Sequence, residues 1–361
     1  GEPDWDTFER VKEIGIAAIR KGQTKYSAAN GIPALREAIA KQTSSDLGVL
    51  YDPTQVTVTT GAKFVIFAAL QVLVDPGDEV LIPAPYWVSY PTMAELAGGM
   101  PVIASAKAEN NFRLQAFELE NALTERTKVL ILNSPSNPTG EVLQRKDLEG
   151  IAEALRKFPK VVVISDDIYN RLSFGEPLAP HLLQVAPDLQ NRVVVVNGGS
   201  KTYSMTGWRV GWALGPKSVI GSMTNYQSQT VSCVSPFTQL ATIEAINNTV
   251  EERAKAMMML EERRDLFVQG LNEIPGWKAA VPGGAFYVWA DVRGIFGKSW
   301  LGKKISSSSD VAEYLLESQK VAVVPGSESG TEGYLRLSFA LGKTDLLEAL
   351  KRIAAFTKQL D

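Results

Sequence analysis

The sequence predicts an α/β protein: a large domain with a mostly parallel sheet flanked by helices, and a smaller α+β domain. Three observations carry this. Short, continuous runs of apolar and β-branched residues recur, among them VVVIS (161–165) and VVVVN (193–197), as expected of strands buried on both faces. From VTVTT (56–60) onward these runs alternate with helical patterns. After the turn NEIPGW the pattern changes, and AFYVWADV, VAVVPG and YLRLSFA read as strands of a second layer.

The elements follow in order. GEPDW is extended. Asp6 and Glu9 have capping-box spacing, Phe8, Val11 and Ile14 form a helical stripe, and Gly22 ends the helix. Pro33, a good first-turn residue, opens a second helix through LREAIAKQ. VTVTT precedes a helix over 64–73, DPGD is a turn, VLIP (80–83) precedes another helix, and PVIAS is a strand. VLILN (129–133), VVVIS and VVVVN each run into a loop. Long helical patterns cover 236–271, and further helices lie near 309–319 and 343–359. The expected division is a large domain over 16–276 and a small one made of 1–15 with 277–361. No internal repeat is present.

Composition removes several function classes. The chain has 361 residues, enough for two domains, with 45% apolar and 21% charged residues, ordinary for a water-soluble globular protein. A net charge of −3 gives no reason to expect nucleic acid or an anionic membrane as partner. The best apolar run, 64–74, is too short to span a bilayer and contains Gln71. Cys233 is the only cysteine, so one chain holds no disulfide framework and no cysteine metal cluster. His181 is the only histidine, which removes most Ser-His and Cys-His hydrolase arrangements and the zinc-binding HExxH motif. It reads as a surface or satisfied structural residue. No metal site and a cytoplasmic location are expected.

The residues that follow the strands hold the chemistry, because parallel α/β sheets bind ligands at the carboxyl ends of their strands. VTVTT is followed by Gly61, Ala62 and Lys63, and VLIP by Tyr86 and Trp87. VLILN is followed by SPSNPTG with Asn137, VVVIS by Asp166 and Tyr169, and VVVVN by Ser200 and Lys201 with Arg209 beyond. Each has an ordinary reading alone: a turn, a core tryptophan, a solvated lysine. GAK is not a Walker A loop, VVVISDD lacks a partner loop for a Walker B role, and GWRVGWALG lacks the GxGxxG spacing of dinucleotide sites. Together they suit pyridoxal 5′-phosphate. Backbone N–H groups at Gly61-Ala62-Lys63, with Ser200 and Arg209, offer a phosphate site. Trp87 offers an aromatic face, Asp166 a carboxylate for a protonated ring nitrogen, and Asn137 and Tyr169 donors for a phenolate oxygen. Lys201 is the amine nucleophile for the aldehyde.

On these motifs the chain resembles a fold-type I, class I aminotransferase, most similar to the bacterial and plant aspartate aminotransferase subgroup. The resemblance runs through GEPDWDT, TKYSAANGIPALREAIA, TTGAK, PAPYWVSYP, NSPSNPTG, SDDIY, SKTYSMTGWRVGW, PGGAFYVW, VAVVPG and YLRLSFA. It implies that Lys201 binds the cofactor covalently and later carries a proton, that Asp166 holds the ring nitrogen protonated, and that Tyr169 and Asn137 tune the system through the ring oxygen. It implies Gly61, Ala62, Lys63, Ser200 and Arg209 as the phosphate cup, Trp87 as stacking partner, and Arg336 as the grip on the substrate α-carboxylate. Gly1 matches a glycine in the loop over that carboxylate. Tyr26 matches a tyrosine that reaches the neighbouring subunit's phosphate, which implies a homodimer. Family members usually carry several tens of residues before GEPD, an arm that this sequence does not show.

The expected reaction is ping-pong transamination between an amino acid and a 2-oxo acid, with aspartate and 2-oxoglutarate as first substrates on resemblance alone. No distal-carboxylate arginine is assignable, so aromatic amino acid, kynurenine and prephenate transamination stay open. Gln71, Tyr226 and Gln229 read equally as distal-end contacts or as surface and packing residues. A β-lyase of the same fold would use the same cofactor residues, and an inactive homologue acting as a binding protein would have no need of Lys201. A nicotinamide dehydrogenase is disfavoured by the missing glycine fingerprint and catalytic histidine.

Overall fold

The computed structural model describes all 361 residues. Seven strands form the main sheet: β1 (Val56–Thr59), β2 (Glu79–Ala84), β3 (Met100–Ser105), β4 (Thr127–Asn133), β5 (Val162–Asp166), β6 (Val193–Gly198) and β7 (Gly211–Leu214). Their spatial order is β1-β7-β6-β5-β4-β2-β3, and every pairing is parallel except the two that β7 makes with β6 and β1. The side-chain period of two divides β6 between two cores. Val193 and Val195 join one buried cluster, and Val194 and Val196 join another on the opposite face. Helices cover both faces, which is why these strands read as unbroken apolar runs.

Sequence patterning missed β7. Its four residues are all buried, but it is short and enclosed by Gly207, Gly211 and Gly215, so no periodicity could register. Asp6 does not cap α1 (Glu9–Arg20): the cap position is Phe8, with no side-chain bond. Asp6 instead lies 3.7 Å from Lys12 Nζ, and Glu9 lies 2.8 Å from it. Pro33 opens α2 (Pro33–Leu47), as its fixed φ favours. The helical pattern over 236–271 is two helices, Pro236–Asn248 and Val250–Asn272. They are separated at Thr249, whose hydroxyl donates to Ala245 O at 2.6 Å.

A second sheet has four antiparallel strands: β8 (Lys278–Ala279), β9 (Tyr287–Asp291), β10 (Val324–Pro325) and β11 (Tyr334–Ser338), in the order β10-β11-β9-β8. VAVVPG contributes only two strand residues, and β8 was not foreseen. One face of this sheet is core: Val288, Ala290 and Leu335 are fully buried, Leu337 nearly so, and all join a third cluster. Ile168, Tyr169 and Leu172, from the loop after β5, join the same cluster. The two sheets therefore meet at the carboxyl end of β5. The N-terminal segment crosses this junction, with Asp4 N–H donating to Ala340 O and Asp4 paired with Arg263. No helix is long and apolar enough to cross a membrane.

Candidate active site

The loops after β1, β2, β4, β5 and β6 turn into one cavity of about 390 Å³ between the two sheets. Of the residues expected in the site, Gly1, Ala62, Lys63, Trp87, Asn137, Asp166, Tyr169, Ser200, Lys201, Arg209 and Arg336 line it. Gly61 stands just behind the wall and Tyr26 lies elsewhere, 89% exposed. Gln71, Tyr226 and Gln229 do not line it. Gln71 donates to Leu96 O, Tyr226 packs on Phe64 and Phe67, and Gln229 bonds Ser228.

At one end lies an anion cradle. Gly61, with φ +95°, precedes α3 (Ala62–Leu73), whose first N–H groups have no helical partner. Arg209 presses its guanidinium against Gly61, where a Cβ would stand 2.6 Å from Nη2. A Cβ on Gly211 would collide with Ala62 N. Only glycine at both positions lets helix terminus and guanidinium close on one point. Arg209 itself takes φ +51° and donates to Thr206 O at 2.9 Å. A non-glycine residue rarely holds that conformation unless its surroundings fix it.

Asp166, at the tip of β5, is buried. Tyr90, from α4 (Ser89–Leu96), donates to its Oδ2 at 2.5 Å, and Ile168 N–H reaches Oδ1 at 3.3 Å. Burial pushes the carboxyl up to about 6 against these bonds. Burial and the facing Asp166 together raise the Tyr90 phenol well above its usual range, so Tyr90 stays the donor. Tyr90 also sets Trp87, meeting that indole edge-on at 5.4 Å between centroids. Asn133 ties the neighbouring loops together: its amide donates to Asp166 O and its oxygen accepts from Asn137 N–H, both at 2.8 Å.

Lys201 reaches in after β6 and donates to the carbonyl oxygen of Gly1. Burial lowers its ammonium to about 8, so a free amine is accessible near neutral pH. Arg336 projects from β11 opposite to the buried Leu335 and Leu337, and donates to Asn137 Oδ1 at 2.8 Å. Lys63 Nζ lies 4.8 Å from the Trp87 ring centroid. Four cations, Lys63, Lys201, Arg209 and Arg336, thus face two carboxylates, Asp166 and Glu2. Glu2 accepts from Thr206 at 2.6 Å. A cavity so charged suits a ligand with several anionic groups.

Sequence reasoning missed Tyr90, Asn133, Glu2, Thr206 and Tyr287, all of which line the cavity. His181 is buried, and its structural role is visible behind the site. Nδ1 accepts from Leu183 N–H at 3.0 Å, which leaves the proton on Nε2, 3.2 Å from Asp167 and 3.1 Å from Ser165 Oγ.

Comparison with known proteins agrees with this fold. The family model for aminotransferase class I and II matches residues 1–353. A probable aspartate/prephenate aminotransferase of Rickettsia prowazekii (strain Madrid E) is 45% identical over 354 residues, covering 98% of this chain and 89% of that protein. The crystal structure of the aspartate aminotransferase from Rhizobium meliloti superposes with a TM-score of 0.97 at 42% identity, over 100% of this chain and 90% of that one. The Thermus thermophilus aspartate aminotransferase with maleate matches with a TM-score of 0.89 at 39% identity, over 99% and 90%. The mostly parallel sheet, the strand-end cavity and these likenesses lead to one family: the chain is an aminotransferase of class I and II.

Proposed function

We propose that the cavity binds pyridoxal 5′-phosphate and that the chain moves the amino group of L-aspartate to 2-oxoglutarate in two half-reactions at this one site. The observation that carries the reading is the placement of Lys201, a half-buried amine with a lowered pKa, in one cavity with the buried carboxylate of Asp166 and the guanidinium of Arg336. The cradle at Gly61, Gly211 and Arg209 fits a phosphate, because a Cβ at either glycine would push the guanidinium or the α3 terminus out of place. When bound, the cofactor supplies a conjugated ring that draws electrons from the substrate Cα and carries the amino group.

The chain's own residues do the rest. Arg209, Ser200 and the first N–H groups of α3 hold the phosphate, and Lys63 adds positive charge at the same wall. Asp166 faces the ring nitrogen and keeps its proton there. Asn137 and Tyr169 donate to the ring oxygen, and Trp87 covers one face. Lys201 holds the aldehyde, then as free amine takes the proton from the substrate Cα. Arg336 grips the α-carboxylate as a fork under the Gly1 loop. Tyr26, exposed in this chain, reaches the phosphate of a second copy in a homodimer. We take the two sheets as two domains that share the cavity.

Aspartate as donor is supported by the names of the relatives and by Lys63. Its ammonium lies beside the Trp87 ring at the cavity wall, where a second, distal carboxylate of the substrate would meet it. With the enzyme saturated in pyridoxal phosphate, Lys63→Met is expected to raise KM for aspartate about tenfold while changing alanine turnover little, since one charge-assisted hydrogen bond to the distal carboxylate is lost. Steady-state kinetics with both donors checks this, and an equal effect on both would return Lys63 to the phosphate alone. The rickettsial relatives named for aspartate and prephenate make prephenate the second acceptor to assay, as it too carries two carboxylates.

Absorbance of the protein mixed with pyridoxal phosphate tests the whole reading. A visible band should appear, bleach with aspartate, and return with 2-oxoglutarate. Phenylalanine or alanine bleaching it instead would move the donor class. A wild-type protein with no band would end the proposal.

A further inference from the structure

Tyr287 of β9 sits where three parts of the site meet. Its hydroxyl lies 2.9 Å from that of Tyr169. Its ring centroid lies 4.7 Å from the guanidinium carbon of Arg336. The register explains the second contact. Tyr287 pairs with Ser338 and Arg336 with Trp289, so Tyr287 and Arg336 are diagonal neighbours on one face of the antiparallel pair. Trp289 and Tyr334 stack on each other further along that face, with an interplanar angle of 1°, which leaves Tyr287 as the platform beneath the arginine. The third contact is Gly1, where an added Cβ would collide with the Tyr287 hydroxyl.

Building on the pyridoxal phosphate reading, we infer that Tyr287 is a positioning residue with two separable roles. Its ring sets the plane of Arg336 for the substrate carboxylate, and its hydroxyl donates to Tyr169 and so aims the Tyr169 proton at the cofactor oxygen. The second role follows from counting protons. A phenol has one, and two phenol oxygens 2.9 Å apart share one of their two protons. When Tyr169 donates outward to the ring oxygen, the proton between the two phenols belongs to Tyr287. A hydroxyl that accepts one hydrogen bond donates a stronger one, so Tyr287 strengthens the hold of Tyr169 on that oxygen. The first role follows from the guanidinium, a flat fork that stacks on aromatic faces and binds a carboxylate edge-on with both prongs only if its plane is held. Tyr287 is 2% exposed and packs edge-on against Tyr169 and tilted against Phe286, so the platform is fixed.

Two substitutions separate the roles. Tyr287→Phe keeps the ring and removes the hydroxyl, whereas Tyr287→Leu removes both. Each is saturated with pyridoxal phosphate, the pH midpoint of the bound cofactor's visible band is titrated, and succinate binding is measured by calorimetry. Succinate is a dicarboxylate with no amino group to react. In Tyr287→Phe the midpoint is expected to rise by about half a pH unit, because a weaker donor at Tyr169 leaves more charge on the ring oxygen and holds the proton beside Lys201 harder. Its succinate Kd should stay within about twofold of wild type, while Tyr287→Leu should raise the Kd about tenfold. An unchanged midpoint in Tyr287→Phe, or unchanged succinate binding in Tyr287→Leu, overturns the inference while the cofactor reading stands. A wild-type protein with no visible band overturns the cofactor reading itself. Thermal unfolding verifies both folds, and Tyr287→Met replaces the leucine variant if that one does not fold.

Discussion

Lys201→Ala is expected to lower kcat/KM for transamination by at least about ten-thousand-fold, because in the proposed reaction one side chain serves as both the nucleophile that holds the aldehyde and the base that moves the Cα proton. Stopped assays at high enzyme concentration read the residual rate. The variant should still bind pyridoxal phosphate through Arg209 and the α3 terminus, but borohydride should no longer fix the cofactor to the protein, which mass spectrometry detects. Wild type supplies the pH test. Burial lowers Lys201 to about 8, so below that pH it is mostly an ammonium that cannot attack. The rate of cofactor capture therefore climbs about tenfold per pH unit up to about 8 and levels off above it. A rate independent of pH from 6 to 9 would show that Lys201 is not the attacking amine.

Lys201 was legible for a simple physical reason. Lys201 follows four buried valines and the Asn197-Gly198-Gly199 turn, and the end of a central parallel strand is where a crevice opens. Asp166 was legible in the same way, as the last residue of β5. Asn137 and Arg209 stand in loops whose composition marks them, although the φ of +51° at Arg209 is a tertiary effect with no local sequence signal. The strand ends could be read one by one. The spatial order β1-β7-β6-β5-β4-β2-β3 could not, since periodicity reports which face a residue occupies and nothing about its neighbouring strand.

Tyr90 and Tyr287 were missed because they sit inside regular elements, where an aromatic residue is ordinarily core. Tyr287 nonetheless left a trace. In FYVWAD the positions alternate, with Phe286, Val288 and Ala290 fully buried and Tyr287, Trp289 and Asp291 on the other face. Three residues with polar atoms at a period of two, opposite a purely apolar set, mark a face that meets something other than core. Tyr90 left no such trace. Its role comes from the crossing of α4 over the tip of β5, and its only mark was its place three residues after Trp87.

Asp166→Asn keeps the shape of the site and removes its buried charge, and its expected cost is about 3–5 kcal/mol of cofactor and transition-state stabilisation, or about two to four orders of magnitude in kcat. The carboxylate matters only in its ionised form, and this sets a pH dependence whose sign is fixed by the burial of Asp166. In the protein alone its carboxyl is pushed up to about 6, so the form able to face a cation is present above that pH and is lost as pH falls through it. Affinity for pyridoxal phosphate should then fall on the acid side of 6, in fluorescence titrations that need no turnover. Tyr90→Phe separates burial from hydrogen bonding. The Tyr90 bond holds the pKa down, so losing it moves the acid limb to higher pH, and the weaker affinity reaches neutral conditions. Asp166→Asn should lose the limb altogether, with weak binding at every pH. A limb that persists in Asp166→Asn would assign the titration to another group and leave Asp166 without its part as the ring's counter-charge.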